Sequence, residues 1–325
     1  MYILGIESSC DETSAAVVEA DDSSRRIAAD IVASQIDIHR LYGVVPEIAG
    51  RAHIEAVTRI THEALDEAKI MLGDVGLVAV TSHPGLIGAL LVGVNFAKSL
   101  AVANGIPLVG VDHVRAHIAA AYAAYPDLAP PFLGVVLSGG HTSFYIVDGY
   151  ASFHEIGSTR DDAAGEAFDK IGRVIGMPYP GGAAMDRLAY EGNPHAYKLP
   201  SPALAGDTLD FSFSGLKTAA LNLIHNAADR GEEVSRADLA ASFTATVADG
   251  FAKKLGMALD ATGLSTVVVA GGVSANSHLR AAADKVCKQH GARLCLPPLN
   301  LCGDNAAMIV FNRSIIRKHI GVSYG

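Results

Sequence analysis

Apolar residues in this chain fall into two kinds of run. Short runs rich in β-branched residues, "YILGIE", "SAAVVEA", "VGLVAV", "LVGV", "FLGVVLSGG", "SFYIVDG" and "STVVVAGG", have the near-continuous apolar character of strands covered on both faces. Longer segments between them, such as "GALLVGVNFAKSLAVA", space their apolar positions as helices do. Strands alternating with helices predict an α/β protein.

The order of the pieces repeats. "ILGIESSCDETSAAVVEA" reads strand, small polar turn, strand, and "GVVLSGGHTSFYIVDG" follows the same plan later. "VGLVAVTSHPGLIGALLVGVNFAKSLA" reads strand, glycine-containing turn, helix, and "LSTVVVAGGVSANSHLRAAADKV" repeats it. Such an internal echo predicts two similar lobes. We expect residues 1–128 to form the first lobe and 129–325 the second, with an insertion over about 158–238. A last helix at about 305–319 is expected to pack back on the first lobe. The insertion is rich in glycine, proline and acids, a composition common in functional excursions. With no low-complexity linker between them, the lobes are expected to form a rigid body with a cleft.

Composition narrows the choice of partners. Half of the 325 residues are apolar, enough for a large core. The net charge of -9 supplies no global positive field for nucleic acid or anionic lipid. Contact with nucleic acid would need a local patch, for which Lys217, Lys253, Lys254, Arg313, Arg317 and Lys318 are the candidates, unless they are simply solvated charges. The four cysteines show no CxxC spacing, which argues against a disulfide framework or a structural zinc knuckle and fits a reducing cytoplasm. The acidic start "MYILGIESSCDETS" and the absence of about 18 uninterrupted apolar residues predict neither export nor a membrane span.

Three turns of small residues follow strands: "ESSCDETS", "SGGHTS" and "AGGVSAN". One such turn would mean only a tight bend. Three at corresponding places of a duplicated plan predict a nucleotide whose phosphates meet backbone amides. Neither GxxxxGK[ST] nor a GxGxxG fingerprint is present.

His113 and His117, in "DHVRAH", are four apart and share a helix face. They are either packed histidines or a metal pair. A zinc protease would place a glutamate after the first histidine, where Val114 stands. Asp304, in "CGDNAAMIV", is either a helix N-cap or the third ligand. Two histidines and a carboxylate suit one divalent metal, iron or zinc. Asp11 and Glu12 lie in the first hairpin turn; in a site for anions, acids would be repulsive unless they serve a metal or take a proton.

The ordered motifs "LGIESSCDETS", "VVPEIAGRAH", "PGLIGALLVG", "DHVRAH", "LSGGHTS", "DDAAGEAFDK", "YPGG", "DFSFSGLKT", "AGGVSAN" and "DNAAMI" run nearly the whole chain. Together they resemble the tRNA adenosine threonylcarbamoyltransferase family, bacterial type, whose members were long labelled O-sialoglycoprotein endopeptidases. The resemblance implies a duplicated actin-like, ribonuclease H-like fold. It also implies transfer of the threonylcarbamoyl group from threonylcarbamoyl-adenylate to the exocyclic amine of the adenosine 3′ of the tRNA anticodon. Carried over, its metal ligands fall on His113, His117 and Asp304, and its substrate contacts on Val136, Leu137, Ser138, Gly139, Gly140, Asp169, Gly182, Asp186 and Asn276. Asp11 and Glu12 match active-site acids, with Asp11 assisting removal of the amine proton. The implied partners are tRNAs reading codons that start with A, a degenerate paralogue subunit (TsaB-like) and a small ATPase (TsaE-like), with no membrane. ATP or ADP with magnesium is a further ligand the resemblance admits.

Departures from the family pattern are His83 before "PGLIGALLVG", Gly303 beside Asp304, one glycine in "YGVVPE", no proline in "GGAAMD", and "IGVSYG" where a tail with an Arg–Trp pair is customary. The competing readings are a metalloprotease, which rests on the histidine pair alone, and a small-molecule kinase or ATPase of the same fold, which rests on the phosphate turns. Kinases of that fold would hold magnesium through carboxylates and water rather than through histidine.

Overall fold

The computed structural model describes residues 1–21, 24–39 and 43–312. Among the described residues two compact units emerge, one of residues 1–129 with 297–312, the other of residues 130–296. The expected boundary at 128/129 compares with one at Ala129/Pro130, and the segment from Pro297 clusters with the first unit.

In the first unit, β1 (Tyr2–Glu7), β2 (Glu12–Ala20) and β3 (Arg25–Ser34) form an antiparallel meander. After the short helix α1 (Ile36–His39) comes α2 (Pro46–Ala68), which opens on a proline whose missing N–H costs nothing at that position. Next come β4 (Val75–His83), α3 (Ile87–Asn104), β5 (Leu108–Asp112) and α4 (His113–Ala119). β4 and β5 join the sheet in parallel, giving the order β3-β2-β1-β4-β5. α2 lays Ala49, His53, Val57, Ile60 and Ala64 towards the sheet at helical spacing.

α3 buries only Ala89, Gly93, Ala97 and Ala101, a small-residue stripe with a four-residue period. By length and a mean hydropathy of 1.4 it is a candidate membrane span, which counting uninterrupted apolar residues does not register because Asn95, Lys98 and Ser99 break the run. Ile87, Leu91 and Val102 on it are exposed.

The second unit repeats the plan. β6 (Phe132–Leu137), β7 (Thr142–Gly149) and β8 (Ser152–Ser158) form the meander. Helices α5 (Ala164–Val174), α6 (Gly181–Leu188), α7 (Ser214–Asp229) and α8 (Arg236–Thr262) follow. Then β9 (Thr266–Ala270), α9 (Ser277–Gln289) and β10 (Arg293–Cys295) complete a sheet of order β10-β9-β6-β7-β8. Strand for strand this is the order of the first sheet, so the echo in the sequence is a duplicated sheet topology. Three strands carry no clear apolar signal: β3 opens on two arginines, β8 is largely polar, and β10 has three residues. All three are edge strands, where one flank is unpaired and the demand for apolar residues is weakest.

The insertion is only partly a functional excursion. Phe211 and Phe213 of "DFSFSG" are buried and stack in line with Phe144, with ring centroids 5.8 Å apart at each step. Lys254 is fully buried on α8 and donates to the carbonyls of Leu204 and Thr208, at 2.6 and 2.5 Å. It ties down the loop between those carbonyls and has no surface for nucleic acid, which corrects its place among the basic candidates. Lys217 is ion-paired with Asp162, and Arg313, Arg317 and Lys318 lie outside the described residues.

The last helix, α10 (Ala306–Phe311), packs on β1 and α4 in the first unit. It sits so close that a Cβ on Gly5 would lie 2.5 Å from the Ala306 carbonyl oxygen, so the glycine in "YILGIE" is what lets helix meet strand. Ser14 Oγ accepts from the Ala306 amide at 2.8 Å, and Arg25 donates to the carbonyls of Val310 and Phe311 at the other end. The expected helix at 305–319 is therefore described only as far as Phe311.

Candidate metal centre and anion-binding turns

In the first unit, β5 delivers α4, whose start is fixed by Asp112 accepting from the Arg115 amide at 2.9 Å. His113 and His117 project from one side of this helix with ring centroids 4.7 Å apart. The Nε2 atoms of the two rings lie 3.6 and 3.3 Å from one oxygen of Asp304. Asp304 is not the N-cap of α10. Asn305 is, accepting from the Met308 amide at 2.8 Å, which leaves the Asp304 carboxylate for other work. Val114 is buried, so nothing on α4 stands where a zinc protease carries its general base.

These three side chains bring their ligand atoms within 4.8 Å of one another. Two ligand atoms held about 2.1 Å from one ion at a tetrahedral angle stand about 3.4 Å apart, so the observed spacing fits a metal. His117 supports the same conclusion: it is fully buried, and neither ring nitrogen makes a hydrogen bond among the described residues. A buried imidazole without a hydrogen bond is costly unless something such as a cation uses its lone pair.

Glu7, at the end of β1, stands behind the pair. Its carboxylate is fully buried, accepts from the Ser9 amide at 2.5 Å and from the Thr81 hydroxyl, and lies 3.2 Å from His113 Nδ1. Ser9 Oγ is 3.1 Å from the same nitrogen. Burial opposes charge on Glu7, but the attraction and hydrogen bond of His113 outweigh it and hold the carboxyl below its ordinary range. Burial likewise opposes charge on His113, yet Asp304 and Glu7 raise the imidazole to about 9. Metal binding must release that proton. None of Glu7, Ser9 and Thr81 announces this role in the sequence.

Asp11 closes the turn joining β1 to β2, and Glu12 is the first residue of β2. Burial, then Asp304 and Asp11, push Glu12 up to about 7. Burial and the same acids push the Cys10 thiol far up, so it is no nucleophile at neutral pH. Carboxylates this mutually repulsive are settled by a cation among them.

In the second unit, β6 ends in the "SGG" turn. Val136 and Leu137 are buried strand residues. Ser138 Oγ accepts from the His141 amide at 3.0 Å, while Gly139 and Gly140 are exposed with open space around them. α5 begins against this turn, with the amides of Gly165 and Glu166 donating to the carbonyls of Ser138 and Gly139, both at 3.2 Å. β9 ends beside it at Gly271, whose φ of 94° and contact with the Leu137 backbone suit glycine alone.

Asp169 accepts from the amides of Gly181 and Gly182 at 2.7 and 3.3 Å, which ties α5 to the start of α6. Asp186, on α6, accepts from the amide and hydroxyl of Ser277 and from His278. Asn276 caps α9 through Oδ1, at 3.0 Å from the Leu279 amide, and its buried Nδ2 has no hydrogen-bond partner among the described residues. Tyr190, its ring tilted by 36° against His278 with centroids 4.3 Å apart and its hydroxyl bonded to Ser277 Oγ at 2.8 Å, joins the group without any signal in the sequence.

A duplicated sheet with small-residue turns at corresponding strand ends defines the actin-like class of α/β proteins. Solved structures agree at the level of fold: full-length HypF in a phosphate- and nucleotide-bound form has a TM-score of 0.62 and 16% identity, covering 99% of this chain and 47% of that one. The activator of the 2-hydroxyisocaproyl-CoA dehydratase from Clostridium difficile with bound ADPNP gives 0.54 at 12% identity, covering 100% and 99%. Within this class the chain belongs to the tRNA N6-adenosine threonylcarbamoyltransferase family, whose TsaD model matches residues 26–311. A relative of that name from Clostridium botulinum (strain 657 / Type Ba4) is 50% identical over 308 residues, 94% of this chain and 90% of its own length. The protein is thus an enzyme, a transferase of tRNA modification.

Proposed function

We propose that the protein transfers the threonylcarbamoyl group of threonylcarbamoyl-adenylate to the exocyclic amine of the adenosine 3′ of the tRNA anticodon. The observation that carries the reading is the convergence of His113, His117 and Asp304 in the unit whose first turn holds Asp11 and Glu12. In the transfer the amine nitrogen bonds to the carbamoyl carbon, the bond from that carbon to the adenylate phosphate oxygen breaks, and AMP leaves with the bonding pair. An iron or zinc ion on His113, His117 and Asp304 would orient the threonylcarbamoyl group and draw charge from it.

Asp11 takes the proton that the amine loses. Glu12, poised near 7, lies beside it as a second acid. The "SGG" turn, with Val136 to Gly140, takes adenylate oxygens on backbone amides, and Asn276 offers its unpaired Nδ2 to the same ligand. Asp186 and the Asp169–Gly182 pair shape the wall of that subsite. With an acyl-phosphate leaving group supplied, positioning and charge stabilisation suffice, and no protein nucleophile is required.

The tRNA substrates read codons starting with A, and the work is done in the cytoplasm. ATP or ADP with magnesium is a second ligand of the anion-binding turns. A degenerate paralogue subunit pairs with this chain and a small ATPase joins them. The exposed Ile87, Leu91 and Val102 of α3 support α3 as the pairing face.

The test is transfer of labelled threonine from preformed threonylcarbamoyl-adenylate to unmodified tRNA, with wild type and His113→Ala, with and without the two partners. Label in tRNA that disappears in the variant is the expected result. No label under any condition, from folded and metal-loaded protein, would refute the reading.

A further inference from the structure

The motif "VVPEIAGRAH" ends in His53, which is fully buried on α2 and contacts neither the His113–His117–Asp304 set nor the turns of the second unit. Its contacts lie instead around the turn that carries Asp11 and Glu12. The carbonyls of Ser9, Cys10 and Asp11 are each taken by a donor from a different element. Ser9 O accepts from the Leu86 amide at 2.8 Å and Asp11 O from the Gln35 amide at 3.1 Å. Cys10 O is 3.0 Å from His53 Nε2. Of the three donors only the middle one is a side chain.

The chemistry of the partners assigns the protons. A carbonyl only accepts, so Nε2 carries the hydrogen and Nδ1 is an acceptor. Thr13 Oγ1, 2.7 Å away, therefore donates to Nδ1. Gln35 stands behind the ring, with its amide nitrogen 3.4 Å from Nδ1 and its amide oxygen 3.0 Å from His39 Nε2. One imidazole thus bridges Cys10 and Thr13, the two residues that flank Asp11 and Glu12.

We propose that His53 is a positioning residue for transfer. By clamping Cys10 O and Thr13 Oγ1 it fixes the backbone of the Asp11–Glu12 pair, so that Asp11 meets the amine proton at the right place. The inference rests on the role given to Asp11 above. It also accounts for a motif that none of the ligand contacts explains.

His53→Phe and His53→Gln, made in the full chain and assayed metal-loaded with the partners, separate this from a packing role. Gln offers both a donor for Cys10 O and an acceptor for Thr13; Phe offers neither. His53→Phe is expected to lower kcat about tenfold or more while leaving KM for the adenylate and metal affinity within about threefold. His53→Gln is expected to recover most of the loss. A second readout does not need activity: hydrogen–deuterium exchange of the backbone amides of Cys10 to Thr13, followed by mass spectrometry, should quicken severalfold in His53→Phe and stay near wild type in His53→Gln. Should His53→Phe not fold, Thr13→Val removes the hydroxyl that donates to Nδ1 and is expected to move both readouts the same way.

Wild-type kcat and amide exchange in His53→Phe would overturn the proposal, as would a glutamine variant no better than phenylalanine. If wild type transfers nothing under any condition, the transferase reading falls, while the amide-exchange contrast still decides whether His53 holds the turn.

Discussion

Glu7 Oε2 lies 3.2 Å from His113 Nδ1, behind a ring whose Nε2 points at Asp304. A buried carboxylate on the far nitrogen orients the ring so that Nε2 faces Asp304, where a cation would take the place of its proton. Glu7→Gln preserves the shape and removes the charge. Metal affinity is expected to fall about 10–100-fold, measured by competition with a chelator. Unchanged affinity would mean that Ser9 Oγ alone orients the ring.

His117 makes the opposite case, a buried polar ring that, among the described residues, has no hydrogen bond of its own. His117→Leu should abolish metal binding yet leave the metal-free protein as stable as wild type, or more stable by about 1 kcal/mol, because an unsatisfied polar group is replaced by an apolar one. Denaturant melts of both metal-free proteins check this. A loss of about 2 kcal/mol or more would show that the ring is satisfied without metal.

Glu12 sets a pH dependence. Its folded value of about 7 lies above the ordinary 4.5. Its contribution to stability is therefore full below about 4.5 and is lost as pH rises through 7, by at most about 3 kcal/mol. Metal-free wild type should melt at progressively lower temperature across that window, Glu12→Gln should flatten the trend, and a bound divalent ion should also flatten it. Parallel pH profiles for wild type and variant would contradict this.

Two glycines in the second unit separate packing from ligand binding. A Cβ on Gly165 would lie 2.7 Å from both Gly139 Cα and Ser138 O, whereas one on Gly139 meets nothing. Gly165→Ala should cost about 1–3 kcal/mol of stability. Gly139→Ala should leave stability within about 0.5 kcal/mol and weaken nucleotide binding, since its methyl would stand where phosphate oxygens approach the amides. Calorimetric titration with a nucleotide distinguishes them, and unaltered nucleotide affinity in Gly139→Ala would remove that turn from the site.

Lys254→Met keeps the volume and loses two buried hydrogen bonds. It should destabilise the protein by about 2 kcal/mol and leave tRNA affinity unchanged. A drop in tRNA affinity at unchanged stability would return Lys254 to the list of nucleic-acid contacts.

Much of this protein is determined locally, and that part can be read from its residues. The continuous apolar runs of β1, β4, β6 and β9 declare central strands because such strands must be apolar on both faces, and the order of runs and turns repeats because the fold is duplicated. The four-residue spacing of His113 and His117 is a property of one helix, so it was legible too. What the chain alone left open depends on residues distant in sequence. Asp304 could be a helix cap until α10 was seen to take Asn305 instead and Asp304 to lie beside the two histidines of α4. Lys254 looks like any surface lysine until the carbonyls of Leu204 and Thr208 close over it. Glu7 and His53 carry no motif chemistry of their own; they acquire it only when the tertiary fold sets a carboxylate 106 residues from its histidine, and an imidazole against a turn 43 residues away. Periodicity records which face of an element is buried, but a polar partner across the core is specified by packing in three dimensions, and no spacing along the chain encodes it.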